Sequence, residues 1–457
     1  MPELVNNFPS SKTDAITPCI VVSRQSSVDS HESSVMRIAW FSPLPPTRSG
    51  IAAYSAELIP LLRTRHDIDC YSETPATSGG WSAHDFVWRR RRHPYDLVVH
   101  QIGNAPCHDF QWAYLARYPA LVVLHDARLH HARARRLLQQ QRHDDYRREF
   151  RYDHPLANAN VAEYAVEGLG GAIQYFWPML RALVHTARAI AVHNPRVADD
   201  LREEYPGAPV SMIRMGVQAC ETSARVRASI RRDLMAPDHA VVFAAFGKVT
   251  AEKRIGAILR ALAALNADGV DAYLLLVGDA SGYGALSQEM AALGIVDRVR
   301  VTGYVPDDAV GGYLAAADVC LCLRWPTALE TSASWLRCLA AARPTVISNL
   351  AHLVDIPADV SIAIDLMDED RSLTLAMRRL AADEHMRAAL AQAGHEYWRA
   401  HHTLAAMAAD YENALADAAA RPAPSLEGLP EHFTDDHGRH ARQIAHAFGV
   451  EVDILGS

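Results

Sequence analysis

A glycine followed by two spaced lysines stands between an apolar run and a helical pattern. Gly247 and Lys248 come directly after the strand-like run Val241–Phe246, and Lys253 precedes helix-like residues that begin at Ile255. A glycine lets the backbone approach a ligand, the amino end of a helix carries partial positive charge, and lysines are point charges for phosphate. The spacing predicts a site in which both lysines neutralise a diphosphate. The alternative is an ordinary turn before a solvated helix start.

A second polar group follows the strand-like run Val319–Leu323. Glu330, Thr331 and Ser332 lie between this run and the next helical pattern. A glutamate can accept hydrogen bonds from two sugar hydroxyls, and hydroxyls beside the N–H groups of a helix start suit a phosphate. These residues therefore predict a sugar-phosphate contact. The alternative is that Thr331 or Ser332 only caps the helix.

Two further candidates lie in the first half of the chain. Gly50 ends the proline-rich loop that starts at Pro43, and His125 with Asp126 ends the apolar run that starts at Ala120. Ligand-binding residues of open parallel sheets gather at the carboxyl ends of strands. We therefore expect Gly50 to admit a phosphate or sugar and His125 to face the substrate. The alternatives are a plain turn, a structural histidine, and a helix cap at Asp126.

Length and composition narrow the function classes. A chain of 457 residues predicts two domains, and a net charge of −8 argues against a general nucleic-acid binder. The seven cysteines form no Cys-x-x-Cys pair, so we expect free thiols in a reducing cytosol and no structural zinc. No metal-ligand cluster, P-loop, signal-peptide pattern or membrane-spanning apolar run is evident. The expectation is a cytoplasmic protein that needs no metal.

Arginines are concentrated in the first half. Arg89–Arg92 are consecutive, and residues 128–151 are rich in arginine and histidine. Such charge is typical of a solvated face. The alternative is a surface that docks an anionic acceptor or makes peripheral contact with a membrane.

Strand-like and helix-like segments alternate along most of the chain, which predicts an α/β fold with parallel β-α-β units. The predicted strands are 36–41, 97–100, 120–125, 189–192, 210–213, 241–246, 273–277, 299–302, 319–323 and 345–348. The predicted organisation is a flexible arm (1–35), an N-terminal acceptor domain (36–217), a C-terminal donor domain (218–394), a helix packing back on the N-terminal domain (395–420) and a tail (421–457).

Over roughly 36–420 the chain resembles the family-4 glycosyltransferases, which are retaining enzymes with two Rossmann-like domains facing a central cleft, the GT-B fold. Gly247–Lys248 with Glu252–Lys253 resembles the family's donor-diphosphate motif. Gly303–Tyr304–Val305 resembles its base-binding loop, and His125–Asp126 resembles its strand-end histidine. The clearest departure is Arg337, which stands where the family has a second glutamate that holds the ribose.

The resemblance implies sugar transfer from a UDP- or GDP-linked donor to a glycan, lipid-linked or small-molecule hydroxyl acceptor, without cofactor or metal. It implies catalytic roles for Lys248, Lys253, Glu330 and His125. The implied donor-binding residues are Gly50, Gly247, Gly303, Tyr304, Val305, Thr331 and Ser332. Because arginine cannot accept a ribose hydrogen bond, one alternative is a catalytically impaired GT-B scaffold or regulatory subunit. Another is a GT-B epimerase or phosphorylase.

Overall fold

The computed structural model describes residues 35–74, 79–220, 224–435 and 439–449. The predicted arm over 1–35 lies, apart from Val35, outside the described residues, as do 436–438 and 450–457 of the predicted tail.

The N-terminal half contains a sheet of seven parallel strands in the order β3-β2-β1-β4-β5-β6-β7. The strands are β1 Arg37–Phe41, β2 Asp67–Ser72, β3 Trp81–Ser82, β4 Leu97–Ile102, β5 Leu121–Leu124, β6 Ala189–Val192 and β7 Val210–Met212. The central strands β4, β5 and β6 are buried along their whole length. This is why they form continuous apolar runs rather than alternating patterns.

The C-terminal half contains six parallel strands in the order β10-β9-β8-β11-β12-β13. They are β8 Val241–Phe246, β9 Ala272–Val277, β10 Val299–Val301, β11 Val319–Cys322, β12 Thr345–Ser348 and β13 Ile362–Ile364. In both sheets the order reverses beside the first strand of the half. Open α/β sheets bind ligands at this point, beyond the carboxyl ends of the strands.

Helices connect the strands and cover both sheets. In the N-terminal half they are α1 Gly50–Leu62, α2 Phe86–Arg92, α3 Trp112–Leu115, α4 His130–Gln139, α5 His143–Asp153, α6 Asn160–Val166, α7 Arg181–Thr186 and α8 Pro195–Glu204. The remaining helices are α9 Ala224–Asp233, α10 Ile255–Ala267, α11 Leu286–Ala292, α12 Asp307–Ala316, α13 Ala333–Ala340, α14 Glu369–Ala382, α15 Glu384–His401, α16 Leu404–Ala420 and α17 Arg439–Ala447.

The predicted α/β fold is confirmed, and every predicted strand is present to within two residues at either end. The strands β2, β3 and β13 were not predicted. The sequence of β2 is acidic at Asp67 and Asp69, and aspartate is disfavoured in strands. Arg37 on the neighbouring strand compensates, because its guanidinium donates to Asp69 at 2.7 Å and to Asp67 at 3.3 Å.

The single helix predicted over 395–420 is wrong, because the chain breaks between α15 and α16. The hydroxyl of Thr403 accepts from the N–H of Ala406 at 3.2 Å and so caps α16. The N–H of Val217 donates to the carbonyl of His402 at 3.0 Å, where the chain passes from one half to the other. Beyond this break α16 packs on α1 and on strands β4, β5 and β6 of the N-terminal sheet.

One apolar cluster runs through both halves. It joins Trp40 and Tyr54 of the N-terminal half to Tyr411 of α16, and continues to Trp335 of α13 and Trp398 of α15. The two sheets are therefore held in place by a shared core.

Candidate functional site

A cleft of about 610 Å³ lies between the two halves. Its walls come from the loop after β1, the loops after β8 and β11, and the starts of α1, α12 and α13. It thus opens at the switch points of both sheets, as the topology requires. The sequence-predicted residues that line it are Gly50, Gly247, Lys248, Tyr304, Val305, Glu330, Thr331 and Ser332.

The two lysines after β8 occupy different positions. Lys248 is exposed and lines the cleft. Lys253 lies behind the cleft, in a small cavity shared with Arg324 and Glu330, and its ammonium donates to the carbonyl of Phe246. Burial, with the nearby charge of Arg324 second, lowers the pKa of Lys253 to about 8. Lys253 is therefore a cation held beneath the floor of the site.

Gly247 makes this packing possible. Its φ is +84°, a conformation that side chains disfavour, and a Cβ there would lie 2.7 Å from the Lys253 ammonium nitrogen. A larger residue would displace the side chain of Lys253.

Glu330 is fixed by its own loop. One carboxylate oxygen accepts from the hydroxyl of Thr327 at 2.8 Å and from the N–H of Ala328 at 2.9 Å. The other oxygen lies 2.6 Å from Nε of Arg324. Because a carboxylate oxygen has two lone pairs, the Arg324-facing oxygen can still accept from a ligand.

The start of α13 faces the cleft. The hydroxyl of Ser332 accepts from the N–H of Trp335 at 3.2 Å, so Ser332 is the helix cap as well as a cleft residue. Thr331 is buried, and its hydroxyl has no hydrogen-bond partner among the described residues. A capped helix start beside an unpartnered hydroxyl is suited to an anion.

Residues of both halves meet near the predicted base-binding loop. Gly303 has φ +72° and does not itself line the cleft, whereas Tyr304 and Val305 do. The guanidinium of Arg48, from the loop after β1, lies 4.3 Å from the centre of the Tyr304 ring. Gly50 opens α1 toward the same space, and a Cβ there would meet nothing within 4 Å. Space alone therefore does not require a glycine at position 50.

Arg337 is paired on both sides. Its guanidinium donates to Asp307 of the C-terminal half at 2.8 Å and to Glu57 of α1 at 2.8 Å. The residue that departs from the family pattern thus joins the two halves at the edge of the cleft.

His125 is not among the residues that line the cleft. It is 7% exposed, lies within hydrogen-bond distance of the Gln101 side-chain oxygen (2.7 Å), and packs beside the rings of Tyr54 and His193. Burial, followed by the charges of His193 and His108, lowers its pKa well below the usual value. The helix α16 crosses behind this strand end, as the contact between Gln101 and Tyr411 shows. Tertiary packing therefore makes His125 a neutral, enclosed side chain.

Asp126, the next residue, is directed toward the C-terminal half. Its carboxylate accepts from the N–H of Asn104 at 2.7 Å, and the N–H of Ala127 donates to the carbonyl of Ala328 at 2.8 Å. Burial, with the charge of Glu330 second, raises the pKa of Asp126 to about 7.

Sequence reasoning missed two cations of the cleft, Arg48 and Arg324. Arg324 comes two residues after β11, at the carboxyl end of a central parallel strand, and Arg48 belongs to the loop after β1. Ligand-binding residues gather at the carboxyl ends of parallel strands, and this rule, which suggested His125, also applies to Arg48 and Arg324. Their positions after strand ends could therefore have identified both arginines from the sequence.

Outside the cleft, much of the arginine-rich surface is engaged within the protein. Arg89 stacks on Trp81 at 3.5 Å and lies 3.3 Å from Asp69, and Arg133 is paired with buried Glu149. Within the described ranges, no helix has the length and apolar character to span a membrane. In the same ranges, no group of three or more His, Cys, Asp or Glu side chains could hold a metal ion.

Comparison with solved structures gives the class of the fold. The chain resembles sucrose-phosphate synthase from Thermosynechococcus elongatus (TM-score 0.61, 16% identity, 83% of this chain and 98% of that chain). It also resembles Anabaena HepE in complex with UDP-glucose (TM-score 0.60, 15% identity, 83% of this chain and 99% of that chain). A third similar structure is WaaG, a glycosyltransferase involved in lipopolysaccharide biosynthesis (TM-score 0.57, 14% identity, 83% of this chain and 99% of that chain). The fold is GT-B, with two Rossmann-like halves about a cleft.

Sequence comparison adds a family for part of the chain. Residues 240–383 match the family model described as glycosyl transferases group 1. This range contains every cleft residue predicted in the C-terminal half. No curated protein matches the sequence significantly.

Proposed function

We propose that the protein is a glycosyltransferase of the hexosyl-transferring kind that moves a sugar from a nucleoside-diphosphate sugar to a hydroxyl acceptor. The observation that carries the proposal is the cleft, where Lys248, Arg324 and the start of α13 converge at the switch point of a half that matches group 1 transferases. The HepE structures hold UDP or UDP-glucose, which supports a UDP-sugar as donor, with GDP-linked sugars as the alternative.

In this proposal the bond from the anomeric carbon to the diphosphate oxygen breaks, and the acceptor oxygen bonds to that carbon on the same face of the sugar. The proton of the acceptor hydroxyl passes to the departing diphosphate oxygen. Negative charge grows on the leaving diphosphate. Lys248 and Arg324, with Lys253 beneath them, are arranged to offset that charge, which is electrostatic catalysis. Because fixed cations do this work, we propose that transfer needs no metal or cofactor.

Glu330 orients the donor sugar, since its loop fixes the carboxylate on the cleft wall. The N-terminal half takes the acceptor, a glycan, lipid-linked or small hydroxyl compound of polysaccharide or glycolipid synthesis. Closure of the two halves over the bound donor would exclude water and so limit hydrolysis of the donor. The proposed location is the cytoplasm, with peripheral contact at the inner membrane face through the arginine-rich surface.

A donor screen tests this function. Thermal shift and donor hydrolysis are measured with UDP-, GDP-, ADP- and TDP-sugars, with and without EDTA. One nucleotide should raise the melting temperature, the shift should disappear in Lys248→Ala, and EDTA should not reduce turnover. Arg300→Ala, at an exposed arginine of β10, is the control and should behave as the wild type.

The second candidate is a non-catalytic scaffold or regulatory subunit. The enclosed position of His125 and the engagement of both Glu330 oxygens favour it. A flat response to every donor in the same screen would establish the scaffold and contradict the enzyme. Restoration of activity by a divalent cation after EDTA would contradict the metal-free mechanism alone.

A further inference from the structure

A second cavity, of about 450 Å³, lies in the N-terminal half and shares no lining residue with the cleft. The helices α2, α3 and α4 contribute to its walls, and the tail segment that includes Phe433 completes them. Its volume falls within the roughly 300–1,000 Å³ typical of small-molecule sites. The proposed donor site therefore leaves this cavity of the N-terminal half unexplained.

The cavity is cationic. Arg117 and Arg136 line it, and neither has an ion-pair partner among the described residues, whereas Arg133 and Arg142 are paired with Glu149 and Asp145.

Two carboxylates, Asp109 and Asp435, also line the cavity, and Asp109 lies 2.9 Å from Arg135. Because Glu149 and Asp145 offset Arg133 and Arg142, and Arg135 offsets Asp109, the lining charges that remain are those of Arg117 and Arg136 against Asp435. Because unpaired guanidinium groups bind carboxylate and phosphate in a planar, two-pronged geometry, the cavity selects an anion.

Aromatic rings also line the cavity. Trp88 is 56% exposed at the mouth, and Trp112 lies inside under the guanidinium of Arg133 at 4.1 Å. Tyr118 and Phe433 extend this apolar surface. The C–H faces of a pyranose ring pack on flat aromatic faces, while a bare inorganic anion gains nothing from them. The combination points to a charged sugar.

A short chain of contacts links the cavity to the cleft. Arg135 of α4 donates to the carbonyl of Asn104 at 2.8 Å and to Asp109, which lines the cavity. The N–H of Asn104 in turn donates to Asp126, which faces Glu330 of the cleft. The cavity is therefore linked to the cleft through Arg135, Asn104 and Asp126 of the N-terminal half.

We propose that this cavity binds a carboxylated or phosphorylated sugar unit of a glycan acceptor, away from the hydroxyl that receives the donor sugar. The acceptor assignment rests on the proposed function, but binding of the anionic sugar does not, because it needs no donor. A polymer with repeating acidic units would be held by this cavity while another of its units enters the cleft.

Direct binding tests the proposal. Calorimetry at low ionic strength is performed on the full chain with digalacturonate and glucose 6-phosphate. Maltose and inorganic phosphate serve as the neutral and non-sugar probes. At least one anionic sugar should bind, and the double variant Arg117→Gln/Arg136→Gln should weaken it by about tenfold or more. Trp88→Ala should weaken the same sugar and leave phosphate unaffected.

Matched controls separate this result from misfolding and from the donor site. Arg300→Gln should bind the sugar as the wild type does. The cavity variants should retain the melting temperature and the nucleotide-induced shift of the wild type. Loss of sugar binding with an intact nucleotide shift is therefore specific to the cavity, and failure of the donor screen does not affect it.

Other outcomes overturn the proposal. Equal binding of maltose would remove the role of charge, and equal binding of inorganic phosphate would remove the role of the sugar. Binding to vesicles of phosphatidylglycerol and phosphatidylcholine that the double variant abolishes, without binding of any sugar, would make this face a membrane contact. Absence of binding by every probe at millimolar concentration would also refute it.

Discussion

The charged form of the Lys253 side chain is disfavoured by its burial beneath the cleft. Its ammonium donates to the carbonyl of Phe246 beneath the cleft, and its pKa falls to about 8. A lowered lysine pKa means that folding favours the neutral amine, so the charged form costs stability below about pH 8. That cost is relieved as the pH rises from about 8 toward the unfolded value. A residue that lowers stability while placing charge beneath a cleft is typical of a functional role.

We therefore expect Lys253→Met to raise the free energy of unfolding at pH 7 by about 1 to 2 kcal/mol, after the lost hydrogen bond is subtracted. The same variant should lose the nucleotide-induced thermal shift. Urea unfolding from pH 6 to 10.5 should show the gain diminishing above pH 8. Lys248→Met, at the exposed lysine, should lose the shift without any gain in stability, and an equal gain there would contradict this account.

Asp126 shows the opposite titration. Burial raises its pKa to about 7, so folding favours the protonated acid. Stability is then fully retained below the unfolded value near 4 and falls as the pH rises to 7. We expect Asp126→Asn to be more stable than the wild type by about 1 to 3 kcal/mol at pH 8, with the difference vanishing below pH 4.

The check is the melting temperature from pH 4 to 8, with Asp308→Asn as an exposed control. A pH-independent difference would show that the Asp126 carboxyl is not the titrating group.

At the scale of elements, the break between α15 and α16 determines how the chain returns to the N-terminal half. Gly216 lies against this break, and a Cβ there would overlap the backbone carbonyl of Thr403 and lie 3.0 Å from the backbone nitrogen of Leu404. Since the atoms that a Cβ would meet belong to the backbone of Thr403 and Leu404, they cannot move aside without shifting the start of α16. The glycine is therefore required by tertiary contact.

Gly216→Ala should lower the free energy of unfolding by about 3 kcal/mol, because overpacking against backbone is relieved only by shifting α16. Chemical denaturation measures the loss. Gly284→Ala is the matched control, since a Cβ at position 284 meets nothing within 4 Å. Similar stability of the two variants would show that the crossing can relax.

At the scale of the whole molecule, ionic and aromatic contacts join the halves across the cleft. Arg337 bridges Asp307 and Glu57, and Arg48 lies over Tyr304. Arg337→Glu would place three carboxylates together, so the variant should gain no donor binding. It should unfold with a free energy lower by about 1 to 2 kcal/mol.

Small-angle scattering should show a larger radius of gyration for Arg337→Glu than for the wild type. Adding Glu57→Gln should restore part of the loss by removing the opposing charge of the N-terminal half. Arg300→Glu is the control for a charge change on the surface. If Glu57→Gln restores nothing, the effect of Arg337 is confined to the C-terminal half.

Much of this architecture was predictable from local sequence. Buried parallel strands are short apolar runs followed by helical patterns, so β8, β11 and their neighbours were evident, as was a loop at Gly247–Lys248 directly after β8. The strand β2 was not predicted because aspartate is disfavoured in strands, and the partner that compensates Asp67 and Asp69, Arg37, is distant in sequence.

What only the tertiary structure decided is which strand-end side chains share a space. The sequence predicted both His125 and Lys248 at strand ends. In the structure Tyr54, Gln101 and His193 enclose His125, whereas Lys248 lines the cleft. Arg337 was visible as a departure, but its partners come from two halves, one of them 280 positions away. The periodicity of apolar residues is a local property, so short segments of the sequence determine it. Burial, pKa and ion pairing depend on neighbours brought together by the fold, and for this reason they are determined by the folded molecule.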